Sequence, residues 1–188
     1  MKITGTNITL LAVPLRRPIR TSFHNFSHAY TVFVQMHTDT GLTGMGWCFA
    51  FEERKAAALA LLAEDLAALY VGRDPRAVGD NHAVAWKDMN FLGHAGASMI
   101  ALSGIDTACW ELAALAADVP LYRHLGGAAT RVQTYASSAL WLDRSIDALT
   151  AEALDLMADG HRAMKVRVGQ ADFMADVERV RHVREAVG

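Results

Sequence analysis

Two cations stand two residues apart in the run Ala163-Met164-Lys165-Val166-Arg167-Val168-Gly169. Side chains alternate along a strand, so Lys165 and Arg167 share one face while Met164, Val166 and Val168 take the other. Paired cations at a strand's carboxyl end suit an anionic ligand, and in α/β folds that end is where sites are built. Taken alone, the run reads more readily as a half-exposed strand with a solvated basic face. The two side chains differ in what they can do. A guanidinium does not lose its proton at ordinary pH, so Arg167 is a poor general base, but its five donors suit holding a carboxylate or an oxyanion.

The elements that must position this pair follow from the patterning. After Gly126-Gly127, residues 132 to 140 read as a strand, 145 to 158 as a helix closed by Gly160, and 163 to 168 as a second strand. Asp172 then caps a last helix whose apolar stripe is Phe173, Val177, Val180, Val183 and Val187. Asp143 reads as a cap of the helix before it. This is β-α-β-α, the start of a parallel sheet. Upstream, residues 2 to 13 and 29 to 50 read as three strands of an antiparallel meander, the last two joined at Thr38-Asp39-Thr40-Gly41. Pro14 to His28 is too rich in Pro, Arg, His, Asn and Ser to be a core element, and reads as a loop. Helices are expected over 52 to 70, 76 to 91 and 97 to 117, with Gly72-Arg73-Asp74-Pro75 as a breaker. Strands followed by a run of helices signal an α+β domain.

Composition narrows the function classes. The 188 residues carry a formal net charge of −2, and 52% are hydrophobic, enough for a sizeable core. Near-neutral charge without basic runs argues against a nucleic-acid or anionic-membrane surface. The amino terminus alternates and lacks the apolar core of a secretion signal. The alanine- and leucine-rich stretch from Ala56 to Ala63 is cut by Glu64 and Asp65, short of the ~20 apolar residues of a membrane span. Cys48 and Cys109, the two cysteines, read as buried thiols of a reduced, cytoplasmic protein more readily than as a disulfide. Trp47 and Phe49 read as core residues.

Three motifs carry a resemblance. Ser103-Gly104-Ile105-Asp106-Thr107-Ala108-Cys109-Trp110-Glu111, continuing to Val119-Pro120-Leu121-Tyr122-Arg123-His124-Leu125-Gly126-Gly127, resembles the signature that closes the capping domain of the enolase superfamily, in its mandelate racemase/muconate-lactonizing enzyme branch. Asp39-Thr40-Gly41-Leu42-Thr43-Gly44-Met45-Gly46 is similar to that domain's glycine-rich hairpin. Lys165-Val166-Arg167 falls where the family carries a Lys-x-Lys pair on its second barrel strand. Three positions depart from the pattern: Trp47 ends the hairpin, Glu111 stands where Trp-Asp is common, and Arg167 replaces the second lysine. The resemblance implies an α+β capping domain over residues 1–128, then the first two βα units of a (β/α) barrel over 129–188. Superfamily members are about twice as long, since a complete barrel takes roughly 250 residues; the chain is expected to be truncated.

The resemblance also implies a reaction: abstraction of the proton α to a carboxylate, giving an enediolate stabilised by Mg²⁺. The family's metal ligands lie on later strands, so no metal ligand is assigned here. Lys165 and Arg167 are the expected catalytic residues. Arg20 and His24 of the lid-like segment 20 to 28, together with Tyr135 and Ser137 of the first barrel strand, are the expected substrate contacts. The leading expectation is the amino-terminal part of an acid-sugar dehydratase acting on a small hydroxy-carboxylate, inactive as the isolated chain, in a cytoplasmic homo-oligomer that binds neither nucleic acid nor membrane. A racemase or epimerase, a lactone cycloisomerase, and a non-catalytic module are the alternatives.

Overall fold

Alternation along two paired strands decides which side of the sheet is covered. In the computed structural model, which describes residues 1–188, β1 spans Ile3–Arg20, β2 Asn25–Thr38 and β3 Thr43–Ala50, in the order β1-β2-β3. β2 and β3 pair antiparallel from Tyr30 opposite Ala50 to His37 opposite Thr43. Val32, Val34 and Met36 are buried opposite Cys48, Gly46 and Gly44. The neighbouring positions Met45, Trp47 and Phe49 therefore face away from the core and are exposed, Trp47 by 58%. The expectation that Trp47 and Phe49 are core residues fails for this reason: the pleat gives the covered face to the small residues.

Those small residues let a helix lie against the strand. α1 spans Glu53–Ala68, α2 Val78–Asp88 and α3 Ala97–Ala116, followed by a single turn, α4, Leu121–His124. A Cβ placed on Gly46 would fall on the Gly104 carbonyl of α3, and one on Gly44 would meet Ala108 and Leu112. Ala101, Ile105, Ala108 and Leu112 of α3 close the core with Leu59, Ala63 and Leu66 of α1. By length and composition α3 could cross a membrane, a candidate that the reading of Ala56 to Ala63 overlooks; here half of it is buried as the core helix. Glu111 of α3 accepts a hydrogen bond from the Met45 backbone N–H, which ties the end of the helix signature to the hairpin. Cys48 and Cys109 are free and buried, and burial pushes the Cys109 thiol up to about 12.

The chain forms two compact units, residues 1–14 with 28–128, and residues 15–27 with 129–188. The segment read as a loop, Pro14 to His28, is instead mostly strand, leaving only Thr21 to His24 outside β1 and β2. Its prolines and polar side chains are compatible with an exposed ribbon, because an edge strand tolerates both.

In the second unit, the two segments read as strands pair parallel but briefly. One bridge joins Ala136 to Met164, supported by Ala136 N–H to Ala163 O at 2.9 Å, Lys165 N–H to Ala136 O at 2.8 Å and Arg167 N–H to Leu140 O at 3.1 Å. Full strands over 132 to 140 and 163 to 168 are not formed. Leu140, in the left-handed region at φ 57°, ends the first segment, and a ladder of only two segments is marginal. α5 spans Ile146–Ala158 and α6 Phe173–Val187. Ser145, not Asp143, caps α5, its Oγ accepting from Ala148 N–H; Asp172 caps α6, accepting from Met174 N–H at 2.9 Å. Leu140, Leu149, Ala153 and Val183 form a small core with Met164 and Val166 against it. Of the expected stripe on α6 only Val183 is buried, while Arg179 is 2% exposed. α6 meets α5 along a narrow strip, and its buried polar residue is held by carbonyls rather than by apolar packing.

Candidate functional site

The face carrying Lys165 and Arg167 is set by the parallel bridge. Met164 and Val166 pack on the α5–α6 core, so the residues between and beyond them point the other way. Lys165 is exposed. Arg167 is half-buried: its Nη2 donates to the Ser137 carbonyl at 2.8 Å and lies 3.5 Å from Ser137 Oγ. Its Cζ sits over the Trp141 ring, 4.3 Å from the centroid. The structure thus brings Ser137 and Arg167 together and adds Trp141, a residue that reading the strand alone misses. Tyr135 is 57% exposed and makes no hydrogen bond to either cation.

Trp141 is itself held from several sides. Its Nε1 donates to Ser138 O at 3.1 Å. Arg179 donates to Trp141 O at 2.8 Å and to Arg144 O at 2.7 Å, and burial lowers the pKa of that guanidinium despite Asp176 and Asp143. Leu140 N–H donates to Glu152 Oε2 of α5 at 2.9 Å.

The ribbon tip approaches the turn that follows Arg167. Thr21 N–H donates to His24 O at 2.9 Å and His24 N–H to Thr21 Oγ1 at 3.0 Å, closing the tip. Ser22 Oγ donates to Gly169 O at 3.0 Å. Gly169 has φ +124°, and a Cβ there would fall on Ser22 Oγ. Asp176 accepts from both Gly169 and Gln170 N–H, at 2.6 and 3.0 Å. Arg20 and His24 are exposed, and the His24 ring stacks on Phe26 at 5.4 Å; neither hydrogen-bonds Lys165 or Arg167. A threonine hydroxyl that accepts the backbone N–H groups two and three residues on closes the tip locally, but the pairing of Ser22 with Gly169 spans 147 residues and leaves no local mark.

Chemically, this arrangement offers one exposed ammonium and one anchored guanidinium on the same face, which suits an anion. No three His, Cys, Asp or Glu side chains converge anywhere in the chain.

Comparison with known proteins places the fold. Residues 3–126 match the family described as mandelate racemase / muconate lactonizing enzyme, N-terminal domain. The 3,6-anhydro-alpha-L-galactonate cycloisomerase of Streptomyces coelicolor is 28% identical over 180 residues, covering 95% of this chain and 50% of that protein. The crystal structure of a racemase from Streptomyces coelicolor A3(2) with bound magnesium superposes with a TM-score of 0.93 at 28% identity, over 99% of this chain and 52% of that one. L-talarate/galactarate dehydratase from Salmonella typhimurium LT2, liganded with Mg and L-lyxarohydroxamate, also gives a TM-score of 0.93, covering 100% of this chain and 49% of its own; at 23% identity it supports the fold alone. The chain spans about half the length of the curated relatives it matches. The antiparallel three-stranded sheet, the helix laid on its glycine-spaced third strand and the match over residues 3–126 agree: the chain belongs to the mandelate racemase/muconate lactonizing enzyme family of the enolase superfamily.

Proposed function

We propose that the natural protein carrying this sequence is a Mg²⁺-dependent acid-sugar dehydratase, and that this chain supplies its capping domain, residues 1–128, and the start of its (β/α) barrel, 129–188. The observation that carries the reading is Arg167, stacked on Trp141 and anchored to the Ser137 carbonyl. A guanidinium so placed cannot serve as the second base of a two-base racemase, and it suits holding a carboxylate while a base on another element removes the α-proton. This chain's share of the chemistry is then to bind and orient the substrate. Lys165 is the electrostatic partner of the carboxylate, Arg167 and Ser137 hold an oxyanion, and Tyr135, Arg20 and His24 contact the hydroxyl-bearing part. Magnesium, bound by residues outside this chain, would supply positive charge against the anion that forms when the α-proton leaves. A cytoplasmic homo-oligomer completes the proposal.

The cycloisomerase relative favours lactone cycloisomerisation as the second reading, since that chemistry also needs a held carboxylate and a single base. The test is turnover by the natural protein with Mg²⁺ and a panel of aldonic and aldaric acids. Release of 2-keto-3-deoxy product is the expected result. Lactone consumption without loss of water would favour the cycloisomerase, α-proton exchange with solvent deuterium alone would favour a racemase, and inertness to every hydroxy acid would leave only a non-catalytic module.

A further inference from the structure

We propose that the turn 140–144 is a built support for Arg167, with Trp141 as its positioning residue, so that the substrate's carboxylate is recognised by a guanidinium fixed before the ligand arrives. The inference rests on the anion-binding reading of Arg167 given above. Three independent observations converge on the turn. Leu140 holds a left-handed conformation at φ 57° although it is fully buried and carries a Cβ, a strained state that persists only where surroundings enforce it. Glu152 accepts its N–H from α5. Arg179, 2% exposed, spends two of its donors on the carbonyls of Trp141 and Arg144. A guanidinium is costly to bury, and here it is directed at backbone, which fixes the turn rather than a partner charge.

What the fixed turn presents is the indole. Trp141 meets its own hydrogen-bonding need just ahead of the turn, at Ser138 O, so its ring face is free to support a cation. Arg167 lies on that face with Nη2 committed to Ser137 O, while Nη1 is shielded from solvent and meets no acceptor in the chain. Stacking and one anchored nitrogen remove the rotations that a free arginine would lose on binding. The unpartnered Nη1 lies in a plane whose orientation the stack and the Ser137 anchor preset, and a planar acceptor such as a carboxylate matches that geometry where a spherical anion does not.

The experiment uses the natural protein that carries this sequence, with isotopically labelled arginine, and L-tartrate, a small hydroxy-dicarboxylate, as the probe. In the native chain the Arg167 guanidinium protons should be displaced by the indole ring current and show slowed rotation about Cζ–Nη, and they should shift saturably with tartrate. In Trp141→Leu both signatures should vanish and tartrate should bind about tenfold more weakly, whereas Trp141→Phe should keep most of the affinity. A structural role alone would lower the unfolding midpoint of Trp141→Leu and leave tartrate affinity unchanged. That outcome overturns the inference, as does a freely rotating Arg167 in the native chain, which needs no variant to detect. An immobilised Arg167 that tartrate does not perturb overturns instead the anion-binding reading on which the inference rests.

Discussion

In the first unit, glycines bring a helix onto a strand and the contact is made of backbone and apolar side chains; in the second, four apolar residues form the core and a buried arginine, a glutamate and an aspartate hold the turns in place. The first arrangement is insensitive to charge and intolerant of volume. The second is the reverse, and every candidate substrate-facing residue belongs to it. A site that must hold an anion needs oriented donors. A thin core with polar ties can supply them at fixed positions, while the separately packed sheet domain carries most of the apolar burial.

The largest effect should come from Gly46→Ala. The added methyl meets the Gly104 carbonyl, which is backbone and cannot swing aside, so the first unit should lose at least about 3 kcal/mol in urea unfolding followed by circular dichroism. Alkylation of Cys109, suppressed by a thiol pKa pushed up to about 12, should accelerate in the same variant, because the thiolate forms readily only when the unit opens. Arg179→Ala should cost about 2–4 kcal/mol, with hydrogen exchange rising across 140 to 144 and Cys109 alkylation unchanged. If both variants accelerate Cys109 equally, the distinction between the units fails. Gly169→Ala, strained at φ +124°, should cost about 1–2 kcal/mol and free the ribbon tip, visible as faster exchange at Thr21 and His24. The smallest effect is electrostatic and belongs to the first unit. Hydrogen bonding from Arg76 holds the Asp74 carboxyl at about 2, below its ordinary 3.8. A depressed carboxylate contributes stability that is complete above its unfolded value and lost as pH falls from about 4 toward 2. For so exposed a pair the contribution is small, measurable as a shallower acid limb of Tm in Arg76→Gln.

What was legible in the chain was local. Alternation around Val166 gave Lys165 and Arg167 their common face, and Asp172 announced its helix, because pleat and cap chemistry act within a few residues. The glycine spacing at Gly44 and Gly46 marked the hairpin, though not the helix that lies on it. The segment from Pro14 to His28 reads as a loop because polar, proline-bearing sequence describes a loop and an exposed edge equally well. Asp143 was misread because Ser145 stands two residues nearer the helix and takes the cap. Trp141, Arg179 and Ser22 escaped because their partners lie 26, 38 and 147 residues away along the chain, and no short-range pattern encodes such contacts.

The most direct test of the assignment of chemistry to the Lys165–Arg167 face is the turnover of Lys165→Ala in the natural protein, measured with Mg²⁺ on whichever acid sugar the panel identifies. Lys165 is exposed, so the variant's melting temperature should stay that of the native protein. Loss of its charge from the developing anion should lower kcat on the order of 10³-fold or more. A near-native kcat with an intact fold would contradict the account and remove this face from the mechanism.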